Sequence, residues 1–354
     1  MPNRNPWRSG SGLRSWLRPR FYELAVLVNF ALVVYVIRYR SGINFRYVRT
    51  LTALAPFAAR VWGLSILIGF LARVLWVAAR DGRSRALRYV RAWCRPRRLA
   101  DLVRLMLVFI VAAWAYLWLK AFIPVVNPAL HDAALDRLDA LVHFGIDPNR
   151  FLIALFPQPA WWRFLDFCYA LFLPALLVGF GWLASTLSIS ERARFAAGFG
   201  LLWILGSWLY VLFPARGPCY AFPDDYASVR PSVPGSVKLQ NDLAQQYEAI
   251  RARRIPPSGA INPGYGTAAM PSLHVAVLAF LAFWMRRRSR PLSALFFVLT
   301  FFTFVASLVT GWHYAVDGYA GFLLAALLAF FLGRGSSGMN DRPSEGKVSR
   351  PPVP

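Results

Sequence analysis

The chain has 354 residues, 57% of them hydrophobic and 16% charged, whereas a soluble domain of similar size carries about 25% charged residues. Its formal net charge is +24, from 40 Lys and Arg against 16 Asp and Glu. The low charge fraction excludes an ordinary soluble enzyme. Nucleic-acid binding is excluded by where the basic residues fall, at the ends of apolar runs and not on a basic face with interleaved aromatics.

Apolar runs recur along the chain at close to the roughly 20 residues that cross a bilayer as a helix. The ten-residue alternating segments of a closed barrel are not seen. The expected fold class is therefore an all-α integral membrane protein with about eight transmembrane helices. In chain order the predicted spans are Phe21–Ile37, Trp62–Ala79, Leu102–Ile123, Trp162–Leu187, Phe195–Phe213, Ala269–Trp284, Leu292–Val309 and Val316–Gly333. The first contains Glu23. The second contains Arg73, expected to snorkel or to face other helices. No cleavable signal precedes the first run, which is expected to remain as a helix.

Three connections stand out. Asn127–Ala160 is polar and periodic, with Leu135, Leu138 and Leu141 set among Asp136, Asp139 and His143. It reads as a short amphipathic helix lying on the membrane, its acids on a solvated face. Arg216–Thr267 is the longest loop. Val237–Arg253 within it suits a helix, and the Pro- and Gly-rich Ile255–Gly266 does not. The tail from Ser336 is polar and expected to be disordered.

The positive-inside rule sets the topology. Arg4, Arg8, Arg14, Arg18 and Arg20, the segment Arg80–Arg98, the turn Arg286–Arg290 and the C-terminal tail fall inside; Arg38, Arg40, Arg46 and Arg49 run against the pattern. The loops Asn127–Ala160 and Arg216–Thr267 then fall outside. The arginines at helix ends would meet anionic membrane lipids. The expected location is a bacterial inner membrane.

Two of the four histidines sit in suggestive places. His274 lies at the start of the sixth span. Two crossings later the chain reaches His313, just before the eighth, so both belong to one membrane face. In Met270-Pro271-Ser272-Leu273-His274, Pro271 suits a first helical turn, whose free N–H groups attract an anion. In His313-Tyr314-Ala315-Val316-Asp317, the His and Asp are four apart and share a helical face. A carboxylate bonded to one imidazole nitrogen leaves the other free as a nucleophile. The second His can protonate the leaving oxygen and then activate an acceptor. Arg216, at the end of the fifth span, can clamp phosphate oxygens. Arg216, Ser272 and Lys120 are the expected phosphate-binding residues. Cys94, Cys168 and Cys219 lack metal-like spacing, and neither a metal nor another cofactor is expected.

The stretches Pro271-Ser272-Leu273-His274 and His313-Tyr314-Ala315-Val316-Asp317 resemble the second and third signatures of the type 2 phosphatidic acid phosphatase superfamily. The Leu at 273, in place of the usual Gly, is similar to the inositol phosphorylceramide synthase branch. The resemblance implies that His313 is the nucleophile, that Asp317 orients it and that His274 is the acid. It also implies a six-helix core. The chain then divides into a basic N-terminal region with two spans (1–100), a catalytic membrane core with its outer loop (101–335, loop 216–267) and the tail (336–354). Two cations of the phosphatase pattern are missing: Leu209 and Ser307 stand where Lys and Arg are usual. Lys120, the only Lys within a predicted core span, is the candidate replacement.

The expected partners are a lipid phosphate and an alcohol or water acceptor. A transferase must keep water from its covalent intermediate, and the two outer connections are large enough to form a lid. A lipid phosphatase is the alternative. A transporter or non-catalytic scaffold stays open, since Arg73 and Asp166 lie within spans, although no inverted repeat is visible.

Overall fold

The computed structural model describes residues 20–42, 47–254, 256 and 259–333. Arg4, Arg8, Arg14, Arg18, Arg46 and the tail from Ser336 lie outside them. The helices in chain order are α1 (Phe21–Ser41), α2 (Tyr47–Asp81), α3 (Arg83–Trp93), α4 (Pro96–Val126), α5 (Asp132–Val142), α6 (Pro148–Leu155), α7 (Pro159–Ala170) and α8 (Phe172–Thr186). They continue as α9 (Ile189–Leu212), α10 (Pro218–Ala221), α11 (Pro234–Arg251), α12 (Leu273–Met285), α13 (Arg290–Val309) and α14 (Ala315–Gly333). Two 3-10 turns, Pro223–Tyr226 and Arg230–Ser232, connect α10 to α11, and no strand occurs among the described residues.

Local sequence explains the helix starts. Pro96, Pro148 and Pro159 occupy the first turns of α4, α6 and α7, where a missing N–H costs least. Asp147 caps α6 by accepting from the N–H groups of Asn149 and Arg150 at 2.8 and 3.0 Å. Ser188 and Glu191 form a reciprocal capping box at the start of α9.

The protein is an all-α integral membrane protein. Among the described residues seven helical stretches are long and apolar enough to cross a bilayer: α1, most of α2, α4, α7 with α8, α9, α13 and α14. The expected span Trp162–Leu187 is broken at Leu171 into α7 and α8. The expected sixth span is α12, only 13 residues, or about 20 Å long against a hydrocarbon core of about 30 Å. It does not begin at Ala269, because hydrogen bonds to other segments hold the preceding chain outside the helix. Ala269 N–H donates to Ala215 O at 2.9 Å, and Ser272 N–H to Asp317 O at 2.8 Å. Pro271 accordingly precedes the helix and does not sit in its first turn. Ser272 is the N-cap. α12 is buried continuously from Val275 to Ala282, so the other helices wrap it and it need not meet lipid itself.

The core is aromatic. Trp62, Phe109, Phe180, Phe195, Phe199 and Phe280 pack in one cluster. Phe109 meets Phe180 and Phe199 edge-on, with centroids 5.1 Å apart in each pair. The two N-terminal spans are tied into this bundle. A Cβ on Gly181 of α8 would lie 1.9 Å from the carbonyl oxygen of Ser65 on α2, so only glycine allows that backbone contact. The charged residues of these spans find partners there. Glu23 pairs with Arg104 of α4, and the Arg73 guanidinium stacks over Trp76 at 4.2 Å.

The surface segment differs most from expectation. It forms two helices, α5 and α6, and α5 is turned inside out relative to its apolar pattern. Asp132, Leu135 and Asp139 face the protein, whereas Leu138 and Leu141 point away, Leu141 with 75% exposure. The acids are drawn inward by unpaired N–H groups on neighbouring elements, and the leucines are left for the membrane interface.

Candidate active site

α9, α12 and α14 bring their site-bearing ends together. α9 leads into Arg216, α12 opens with His274, and His313 precedes α14, which carries Asp317. The His274 and His313 rings lie 5.9 Å apart, centroid to centroid, at 62°.

His313 is fixed from three sides. Its Nδ1 lies 3.3 Å from Asp317 Oδ2, and its N–H donates to Ser307 O at 3.2 Å. Its carbonyl accepts from Asn149 Nδ2 at 3.0 Å. The imidazole is 3% exposed as a residue and Asp317 is fully buried. Asp317 Oδ2 also accepts from the Tyr314 N–H at 2.9 Å, so the same carboxylate closes the first turn of α14 and holds the ring. With Nδ1 committed to Asp317, Nε2 is the nitrogen left for chemistry.

His274 is the second residue of α12. Its Nδ1 lies 3.2 Å from the Tyr169 hydroxyl, and its ring meets Phe172 edge-on at 4.4 Å. Gly321 makes this placement possible. A Cβ there would sit 2.2 Å from the Ser272 carbonyl oxygen, so only glycine lets α14 approach the start of α12 so closely.

Between the histidines and the outer loop lies a cavity of about 140 Å³, lined among others by Lys120, Arg216, His274 and His313. Lys120 Nζ sits 5.9 and 5.6 Å from the Tyr116 and Tyr210 ring centroids. It has no carboxylate partner among the described residues. The Arg216 guanidinium is stacked 4.4 Å over Tyr247 and 5.1 Å from Tyr220, with Nη1 on Glu248 at 2.9 Å. Three buried donors lack a partner at this cavity: Arg216 Nε, Thr267 Oγ1 and Trp312 Nε1. Unmet buried donors are costly. An oxyanion with several acceptor oxygens would satisfy them.

Of the expected site residues, Ser272 stands apart. It is fully buried at the α12 N-cap and does not line the cavity. Its backbone N–H is spent on Asp317 O. Lys120 and Arg216 do line the cavity. At the two positions where the expected cations are missing, Leu209 does not line the cavity, whereas Lys120 from α4 does. Ser307 lends its carbonyl to the N–H groups of Trp312 and His313, closing the turn that presents the nucleophile candidate.

A profile of the PAP2 superfamily matches residues 133–331, more than half of the chain. The chain belongs to the PAP2 superfamily. Comparison with curated proteins and with solved structures gives no match. PAP2 membership makes the protein a phosphatase or phosphotransferase of lipid phosphates.

The candidate site is braced by residues that sequence reasoning missed or misjudged. Asp139, expected on a solvated face, is 3% exposed and accepts from the Ala315 and Val316 N–H groups at 2.7 and 2.8 Å. Burial pushes its carboxyl up to about 6, against the opposing effect of those two donors. Asp132 accepts from the Arg216 and Gly217 N–H groups at 3.0 and 2.9 Å and from the Tyr314 hydroxyl at 3.0 Å. It thus joins the Arg216 segment to the turn after His313. The other two histidines tether α5. His131 N–H donates to Pro214 O at 2.8 Å, and His143 Nε2 lies 2.9 Å from the Tyr319 hydroxyl.

Proposed function

We propose that the protein is a membrane lipid phosphotransferase working through a phosphohistidine intermediate, similar to the inositol phosphorylceramide synthases. The observation that carries this reading is the 5.9 Å approach of the His274 and His313 rings beside a cavity rich in unpaired donors. A phosphorus atom held there lies within reach of both imidazoles.

In the first step His313 Nε2 attacks phosphorus and an N–P bond forms. The P–O bond to the leaving group breaks, and His274 gives its proton to the departing oxygen. In the second step an acceptor hydroxyl loses its proton to His274. The new P–O bond forms as the N–P bond breaks, which restores both imidazoles. Asp317 holds the His313 tautomer and stabilises the charge that the ring gains. Lys120, Arg216, Thr267 and Trp312 supply donors to the non-bridging oxygens, where charge stabilisation governs phosphoryl transfer. Tyr169 positions His274 through Nδ1.

Transfer to an alcohol is favoured over hydrolysis by the covering of the site. Leu239 and Leu243 of α11, with Gly264, Gly266 and Thr267, line its outer side, and walls that displace water favour transfer. Lipid phosphate hydrolysis is the alternative. Among the described residues no three His, Cys, Asp or Glu side chains cluster to hold a metal, and turnover is expected to persist in EDTA.

The test offers radiolabelled lipid phosphates to purified protein with and without alcohol acceptors. A new phosphorylated lipid supports transferase. Released phosphate alone, whatever the acceptor, supports phosphatase. Full turnover by His313→Ala removes the mechanism, and flux without turnover points to transport.

A further inference from the structure

We propose that the bundle end opposite the histidines carries a second site, for the headgroup of an anionic phospholipid. α9, α12 and α14 each have one end at the catalytic cavity. At their other ends they frame a cavity of about 350 Å³, with about 20 Å of α12 between the two.

Its charge is one-sided. Arg194, Arg286, Arg287 and Arg288 line it against a single acid, Glu191. Glu191 is paired with Arg288, and Arg287 Nη1 donates to Gly333 O at 2.7 Å. Arg194 Nε and Trp284 Nε1 are buried there without a hydrogen-bond partner. Two unmet donors among arginines call for an acceptor that is anionic and has several oxygens, which describes a phosphodiester.

The rest of the wall selects a lipid over free phosphate. Phe283 and Ala329 give the cavity an apolar side, and it opens where spanning helices end, at headgroup depth. Basic pockets between spanning helices at this level suit anionic headgroups. Inorganic phosphate would leave the apolar side uncovered. The site does not depend on the reaction assigned to the histidines.

Native mass spectrometry of the detergent-purified protein tests this, with dioleoylphosphatidylglycerol and dioleoylphosphatidylcholine as probes and inorganic phosphate as competitor. Wild type and His313→Ala should both retain phosphatidylglycerol and not phosphatidylcholine. Arg194→Gln combined with Arg286→Gln should weaken retention about thirtyfold, from two lost headgroup charges. Trp284→Phe, which keeps an aromatic ring and removes the N–H donor, should weaken it by about threefold and serves where the double variant is unstable. Equal retention by these variants overturns the proposal. So does displacement by inorganic phosphate, or loss of the lipid in His313→Ala, which would put it in the catalytic cavity.

Discussion

Asp139 caps the helix that carries Asp317: its carboxylate accepts the backbone N–H of Val316 at 2.8 Å. A residue of the surface helix α5 thereby fixes the first turn of α14. The capping group is itself titratable, since burial lifts its carboxyl from an ordinary 3.8 to about 6. A raised carboxyl binds its proton more tightly in the folded protein than in the unfolded chain. Ionising it therefore costs stability, and that cost grows in as pH rises from about 4 to 6 and is complete above. Asp139→Asn stays neutral throughout. Relative to the variant, wild type should gain melting temperature as pH falls from about 6 to 4 in detergent. Parallel pH profiles would contradict this assignment.

Asp132 serves three donors at once, which makes its removal costly. Asp132→Ala should destabilise the protein by about 3 kcal/mol, because buried N–H groups of the Arg216 segment lose their acceptor. Tyr314→Phe removes one hydroxyl and should cost only about 1 kcal/mol. Thermal unfolding of the two variants checks the ranking, and equal losses would show that Asp132 does not organise the segment.

Gly321→Ala tests the approach of α14 to the start of α12. The added Cβ would lie 2.2 Å from Ser272 O, so the backbone two residues before His274 has to move. Turnover should fall on the order of 10²-fold, the cost of roughly an ångström of misplacement. Gly235→Ala, which meets open space, should leave turnover at the wild-type level. Wild-type rates in Gly321→Ala would mean that His274 tolerates displacement.

Lys120→Met should lower kcat/KM by about 10²-fold if the ammonium neutralises phosphate oxygens in the transition state. Arg216→Lys keeps charge but loses the planar fork and the stacking on Tyr247, and should raise KM. Glu248→Gln removes only the half-exposed partner of Arg216 and should change KM by less than about threefold. Steady-state kinetics on the three variants separate these effects. An unchanged Lys120→Met removes Lys120 from the site.

Much of this architecture is legible in the sequence. Span positions follow from apolar runs, because a bilayer demands uninterrupted apolar length. The shared face of His274 and His313 follows from counting crossings between them. Other features are not legible. In α5 the 3.6-residue pattern is clear, but periodicity cannot say which face turns inward when lipid waits outside and unpaired N–H groups wait inside. Asp132 and Asp139 point in for that reason, and Leu138 and Leu141 point out. The short α12 is hidden by apolar residues that continue through Ala268 and Ala269, although the hydrogen bond from Ala269 to Ala215 ties that stretch to another segment and not into the helix. Trp312 immediately precedes the signature that begins at His313 and could have been noticed. Thr267 and Tyr169 carry no local signal, since only folding brings them to the cavity.

In the proposed reaction His313 becomes covalently phosphorylated. Protein mixed briefly with lipid labelled in its phosphate, then denatured in alkali, should carry label that is stable to base, labile to acid and located at His313 by peptide mapping. Label should be absent in His313→Ala. Turnover by His313→Ala at the wild-type rate, or label on a different residue, would rule out His313 as the nucleophile.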